Sequence, residues 1–162
     1  MTASREAILD RKTLFAYALP NFVLAVPTIP VYIYLPALYG DSFGLGLALT
    51  GAILLAARLF DVVTDPIIGR FSDSIRWAVG RRKPLIAIGA VIAAIGLVQI
   101  VSPPDDVGWL YLLTWCTLLY LGWTLVAIPY AAWGAELRQD YRQRLRITSA
   151  REMAALLGIL SA

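Results

Sequence analysis

Histidine is absent from this chain of 162 residues, cysteine occurs once, and charged residues make up only 15%. Without histidine the chain lacks the commonest metal ligand and the usual proton shuttle. The single Cys116 leaves no disulfide framework and no cysteine-based metal site. A Gly-rich phosphate loop preceded by a strand is also missing. These absences predict that the protein is not an enzyme and holds no resident metal or cofactor.

Apolar residues, in contrast, make up 59% of the chain and gather in long runs. Four complete runs cover residues 14–39, 45–68, 84–101 and 109–132, and an incomplete fifth covers 147–162. A membrane-spanning helix needs about 20 mainly apolar residues. We therefore predict an all-α fold, a polytopic transmembrane helical bundle of about five helices. Because the fifth run stops in mid-span, we expect the chain to be an N-terminal portion or fragment of a longer protein.

The basic residues predict the orientation of these spans. Loops around residues 40–43 and 102–108 carry no lysine or arginine, and twelve of the 14 basic residues lie at the opposite ends of the spans. Those twelve are Arg5, Arg11, Lys12, Arg70, Arg76, Arg81, Arg82, Lys83, Arg138, Arg142, Arg144 and Arg146. The positive-inside rule places the N-terminus in the cytoplasm. The basic residues lie in groups between the apolar runs and not along one exposed face. The expected partner is therefore a lipid bilayer and not nucleic acid.

The second span carries three charged residues, Arg58, Asp61 and Asp65. Each costs about 2.5–3.5 kcal/mol at a helix centre on insertion scales, and such residues usually pair or line an ion or substrate path. Their spacing puts them on one helical face, with Thr64 nearby. Paired carboxylates and a hydroxyl suit Na⁺ or a proton; a buried ion-pair network is the alternative. Arg151 in the fifth run is a second intramembrane cation that could complete the charge balance.

Prolines and tyrosines are the other unusual residues of the spans. The first span contains Pro20, Pro27, Pro30 and Pro36, each of which removes a backbone hydrogen bond and tends to kink a helix. Interrupted spans surround binding sites in transporters, although a bent packing helix explains the prolines equally well. Tyr32 and Tyr130 are candidates for substrate contact, and Tyr32 is also placed to be an interfacial anchor.

Two motifs add a family resemblance. The run DVVTDPIIGRFSD, the following GRRKP and the later IPYAAWGAEL resemble the major facilitator superfamily. Within it they resemble the glycoside–pentoside–hexuronide:cation symporters, the group of melibiose permease. The resemblance implies a cation site at Asp61, Thr64, Asp65 and Thr124, with Arg58 and Arg151 for charge balance or an anionic substrate group. It also implies a cytoplasmic gate motif at Gly69, Asp73, Gly80, Arg81 and Arg82.

The chain departs from the galactoside carriers of that group at two positions. Ala127 and, by counting back from Asp41, about Ala25 stand where those carriers have carboxylates. We therefore expect a different substrate. The predicted function is Na⁺- or H⁺-coupled secondary transport of a small solute, a sugar or glycoside, by alternating access. The expected location is the plasma or inner membrane, and the expected partners are the substrate and the remaining helices of a full-length transporter.

Three alternatives accompany this prediction. The substrate could be a lysolipid or another amphiphile, since lysophospholipid carriers share these motifs. The chain could instead be a membrane scaffold that does not transport, or a nonfunctional truncated fragment.

Overall fold

The structure is a computed structural model and describes residues 10–74, 82–104, 107–137 and 140–162. The regular elements in these residues are all helical. The α-helices are α1 (Arg11–Ala25), α2 (Leu35–Ala37), α3 (Leu47–Ser74), α4 (Lys83–Val101), α5 (Trp109–Leu137) and α6 (Tyr141–Leu160). Two π-helical turns, Pro30–Tyr34 and Leu38–Ser42, flank α2. The all-α class predicted from the sequence is thereby confirmed.

Prolines divide the first span but not the later ones. α1 contains Pro20 and ends at Ala25, and a π-helical turn begins at Pro30. Pro66 and Pro129, in contrast, lie inside the continuous helices α3 and α5. Four prolines in one span remove four backbone donors, whereas one proline per helix leaves the surrounding hydrogen bonds in place.

Four helical stretches in the described residues are long and apolar enough to cross a membrane: Arg11–Ser42, Leu47–Ser74, Lys83–Val101 and Trp109–Glu136. α3 and α5 contain 28 and 29 residues, which corresponds to about 42 and 44 Å of helix. A hydrocarbon core is about 30 Å thick. Both helices are therefore long enough to place polar end residues, such as Asp73 and Ser74, outside the hydrocarbon.

The chain forms two compact units, and the larger comprises Val31–Trp133. Its buried core contains Val31, Leu35, Tyr39, Ile53, Ala57, Ile100, Leu112, Cys116, Leu119 and Tyr120. The Tyr39 hydroxyl donates to the Ile100 carbonyl at 2.9 Å, and the Tyr111 hydroxyl donates to the Gln99 carbonyl at 2.8 Å. These two bonds satisfy carbonyls in the last turn of α4, which have no partner within the helix.

Small residues bring α4 and α5 together. A Cβ atom added to Gly122 of α5 would lie 2.8 Å from the Gly89 carbonyl oxygen and 2.9 Å from the Ala93 Cα of α4. One added to Gly96 would lie 3.1 Å from the Leu119 backbone. Such close backbone approach is typical of helix pairs in membranes, where small residues replace the hydrophobic driving force. It fixes α5 against α4, and α5 carries part of the candidate site.

The smaller unit combines the segment up to Pro30 with Gly134–Ala162. In it α1 packs against α6, and the Asn21 side-chain amide donates to the Arg151 carbonyl at 2.9 Å. An apolar groove of about 640 Å³ lies along these helices, with Phe15, Phe22, Met153 and Leu157 among its lining residues.

Candidate cation site

The two carboxylates lie on the packed side of α3. Its buried residues recur at helical spacing: Thr50, Ile53, Ala57, Ile68 and Ser72. Asp61 and Asp65 fall between Ala57 and Ile68 on the same stripe, at intervals of three or four residues. Both are partly buried, and Asp61 is 14 residues past Leu47, near the middle of the 28-residue helix. The packing of α3 therefore holds two partly buried carboxylates within a helix of membrane length, where a charge is costly.

α5 runs alongside α3 in the same direction and meets it at three successive turns. In order along both helices, the contacts are Arg58 with Tyr120, Asp61 and Asp65 with Thr124, and Gly69 with Ile128. The α5 residues are four apart, so they form one stripe on its surface. A Cβ built on Gly69 would lie 3.8 Å from the Ile128 Cγ2 atom, which is an ordinary van der Waals contact, so the two helices are neighbours at this turn as well.

Thr124 brings its hydroxyl between the two carboxylates. Its Oγ1 atom lies 2.6 Å from Asp61 Oδ1 and 2.9 Å from Asp65 Oδ1. The hydroxyl and the two carboxylates thus present several oxygens to one point. Oxygen ligands of this kind suit a small hard cation, and carboxylates also accept a proton. The structure therefore brings together three of the four residues predicted to bind the cation.

Arg58 contributes the positive charge next to this group. Its Nη1 atom lies 3.2 Å from Asp61 Oδ2, and the exposed fractions of the two side chains are 44% and 14%. Its guanidinium carbon also lies 4.5 Å from the ring centroid of Tyr120 and 5.1 Å from that of Tyr32. Tyr120 was not predicted from the sequence. The available signal was its position four residues before Thr124, which places both on one face of α5.

Thr64, Tyr130 and Arg151 are the other predicted residues, and each is described within its own unit. The Thr64 hydroxyl donates to the main-chain carbonyl of Asp61 at 3.0 Å, so its hydrogen points at the helix backbone. Tyr130 is buried in α5, within the larger unit. Arg151 belongs to the smaller unit, where its Nη2 atom lies 2.6 Å from Glu152 Oε1. The structure thus gives Arg151 an acidic partner that the sequence prediction had not considered.

The predicted gate motif is partly described. Arg82 Nη2 lies 3.2 Å from Asp73 Oδ1, with 8% and 64% of the two side chains exposed. This ion pair connects the last turn of α3 to the residue just before α4. Gly69 lies one turn past Asp65 at the α5 contact described above, whereas Gly80 and Arg81 lie outside the described residues.

Four helical stretches of membrane length in the described residues, one of which carries an ionic cluster, are the architecture of a polytopic, multi-pass membrane protein. The chain belongs to the MFS/sugar transport protein family, whose model matches residues 16–162. The major facilitator resemblance noted in the sequence is confirmed by this match.

Curated relatives agree with that assignment. The chain is 30% identical over 157 residues to the inner membrane symporter YicJ of Escherichia coli, covering 95% of this chain and 34% of that protein. It is 32% identical over 126 residues to the putative glycoside/cation symporter YagG of E. coli, covering 76% and 27%. It is 29% identical over 157 residues to the E. coli glucuronide carrier protein homolog, covering 92% and 34%. The chain spans about a third of the length of these relatives.

Proposed function

We propose that this chain forms part of a cation-coupled symporter that moves a small solute, a sugar or a glycoside, by alternating access. The coupling ion, Na⁺ or a proton, binds at Asp61, Asp65 and Thr124, and the N-terminus faces the cytoplasm. The observation that carries the proposal is the Thr124 hydroxyl, which lies within hydrogen-bond distance of both carboxylates. The names of the relatives, a glycoside/cation symporter and a glucuronide carrier, support a sugar-type substrate.

The single hydroxyl hydrogen of Thr124 supports a bound ion between Asp61 and Asp65. A threonine hydroxyl has one hydrogen to donate, and ionised carboxylates can only accept. Thr124 can therefore donate to Asp61 or to Asp65, but not to both with full strength. The second short oxygen contact becomes favourable when one carboxyl group carries a proton or when a cation lies between the oxygens. The arrangement thus favours one additional positive charge.

The two carboxylates are not equivalent as ion ligands. Asp61 already has a positive partner, because Arg58 lies 3.2 Å from its Oδ2 atom. The structure gives Asp65 the Thr124 hydroxyl as a partner. We infer that Asp65 binds the proton or contributes the charge that holds Na⁺, while Asp61 stays paired with Arg58 and contributes its other oxygen.

Coupling follows from the cost of Asp65, a carboxylate for which the described residues provide a hydroxyl partner but no ion pair. An ionised Asp65 within a membrane helix is unfavourable, so the transporter would change between its outward and inward forms readily only when the ion is bound. If the substrate binds more tightly to the ion-loaded form, the ion gradient drives substrate accumulation.

An amphiphilic substrate such as a lysolipid is the second candidate, and the groove along α1 and α6 favours it. The groove of about 640 Å³ is lined by apolar side chains, including Phe15, Leu19 and Leu157, together with Arg11. An acyl chain matches the apolar wall, and Arg11 could contact an anionic headgroup.

The proposal is tested with a full-length protein containing this chain, expressed in cells or membrane vesicles. Uptake of sugars, glycosides, uronides and lysolipids is measured with an imposed Na⁺ gradient at constant pH, and with an imposed proton gradient without Na⁺. We expect one gradient to drive accumulation of a sugar-type solute, and an ionophore that collapses it to abolish accumulation. Accumulation of lysolipids alone would favour the second candidate. Accumulation that ignores both gradients would overturn cation coupling.

Thr124→Val should raise the ion concentration that gives half-maximal uptake by about 10- to 100-fold. The substitution keeps the side-chain shape but removes the second short oxygen contact, the one that becomes favourable only with the ion bound, and a charge-assisted contact of this kind is worth about 1.5–3 kcal/mol. Thr124→Ser, which retains the hydroxyl, is the matched control and should stay close to the wild type. Equal ion dependence of the valine and serine variants would contradict a role for the hydroxyl.

A further inference from the structure

Arg58 lies between two aromatic rings as well as beside a carboxylate. Its guanidinium carbon is 4.5 Å from the Tyr120 ring centroid and 5.1 Å from the Tyr32 ring centroid. Both distances are within the range of about 6 Å in which an aromatic face attracts a cation. The guanidinium therefore contacts both tyrosines as well as the Asp61 carboxylate, which lies at 3.2 Å.

The two rings differ in how firmly they are held. Tyr120 is 6% exposed and belongs to the buried core together with Leu112, Cys116 and Leu119. Packing to this degree leaves a ring little room to move. Tyr32 lies in the first π-helical turn and is 50% exposed. Tyr120 thus provides a fixed surface for Arg58, and Tyr32 contacts the guanidinium from the first π-helical turn.

The position of Arg58 determines how many carboxylates are available to an ion. While the guanidinium remains on the rings, it neutralises Asp61, and the net charge of Arg58, Asp61 and Asp65 is −1. If the guanidinium moved away from Asp61, two carboxylates and the Thr124 hydroxyl would face the site together. Two carboxylates attract a metal cation more strongly than one does.

We propose that Tyr120 and Tyr32 are positioning residues that hold Arg58 on Asp61 and thereby set the ion dependence of the site. The inference rests on the proposed function. It assigns to two aromatic side chains a role that neither the hydroxyl nor the carboxylates can perform, the control of the internal counter-charge. Loss of a ring should make the site more responsive to Na⁺.

The test compares Tyr120→Leu with Tyr120→Phe in the full-length transporter. Half-saturating Na⁺ for uptake is measured at two fixed pH values, so that competition from protons appears as a change in half-saturating Na⁺. Phenylalanine keeps an aromatic face, so we expect Na⁺ dependence within about twofold of the wild type. Leucine removes the aromatic face. We then expect half-saturating Na⁺ to fall about tenfold, or a new response to Na⁺ to appear.

A double-variant cycle shows whether the tyrosine acts through the arginine. In an Arg58→Gln background, Tyr120→Leu should change half-saturating Na⁺ by less than about twofold, since there is no guanidinium left to position. If Tyr120→Leu fails to reach the membrane, Tyr32→Leu is compared with Tyr32→Phe in the same way. Tyr32 is half-exposed, so its substitution disturbs packing less.

The outcomes separate the two proposals. Wild-type uptake without any ion dependence would overturn the proposed function and this inference together. Ion-driven wild-type uptake with identical Na⁺ dependence in the leucine and phenylalanine variants would overturn the inference alone. A tenfold change in the leucine variant that persists in the Arg58→Gln background would also overturn it, since Tyr120 would then act without Arg58.

Discussion

Asp65→Asn in a full-length transporter containing this chain should abolish ion-driven accumulation, with a loss of at least about 100-fold. Asparagine has nearly the same shape and can still contact Thr124, but it can neither carry a transported proton nor supply a negative charge to Na⁺. The variant also removes the cost of a carboxylate within the membrane to which the described part of the chain offers no ion pair. Folding and membrane insertion should therefore be preserved or improved.

The measurement compares uptake against a gradient with exchange of substrate at equal concentrations on both sides. Asp65→Asn should lose uptake against a gradient and retain exchange, because the protein can still change orientation with a neutral site. Asp41→Asn is the matched control, since it makes the same chemical change at an exposed carboxylate and should leave both activities intact. Unchanged accumulation in both Asp65→Asn and Asp61→Asn would rule out the cation site.

Gly122→Leu should have the largest effect on folding. The first added carbon alone would lie 2.8 Å from the Gly89 carbonyl oxygen and 2.9 Å from the Ala93 Cα, so α4 and α5 would have to separate. Overpacking of this kind typically costs about 1–3 kcal/mol, and the cost here is at the upper end because the opposing atoms are backbone. Thr124 and Tyr120 would move with α5, and transport would be lost as well.

Gly51→Leu is the matched control for this substitution. Gly51 lies in α3 and has no heavy atom within 4 Å of a Cβ built on it. We expect the purified Gly51→Leu protein to unfold in detergent at a temperature close to that of the wild type, and Gly122→Leu to unfold at a lower one. Equal unfolding temperatures for the two variants would show that α4 and α5 do not need close contact at Gly122.

The sequence was sufficient to predict the helical class and to single out the two carboxylates of the proposed site. Asp61 and Asp65 stand out because carboxylates are rare in apolar runs, and their i,i+4 spacing places them on one face whatever the packing. Thr124 came from the family resemblance alone. The distances that bring its hydroxyl to both carboxylates depend on the register between α3 and α5, which no local pattern in either helix encodes.

Other features depended on choices that residue patterns leave open. Proline predicts a kink, yet Pro66 and Pro129 lie in continuous helices while the prolines of the first span accompany two π-helical turns. Arg151 was considered for charge balance at the cation site, and the structure gives it Glu152 as an adjacent partner. Nothing in the sequence distinguishes Tyr120 from the other apolar and aromatic residues of its span, and the structure buries it. Its contact with Arg58 becomes visible only once the two helices are placed together.

Direct measurement of ion movement tests the central claim most sharply. The full-length protein is reconstituted in liposomes without any ion gradient, the substrate found in the uptake panel is added, and ion entry is followed with a pH-sensitive or Na⁺-sensitive dye. We predict that the substrate gradient drives the coupling ion inward in the wild type and that Asp65→Asn, with substrate still exchanging, moves none. Substrate entry without ion entry in the wild type, or undiminished ion entry in Asp65→Asn, would contradict the account.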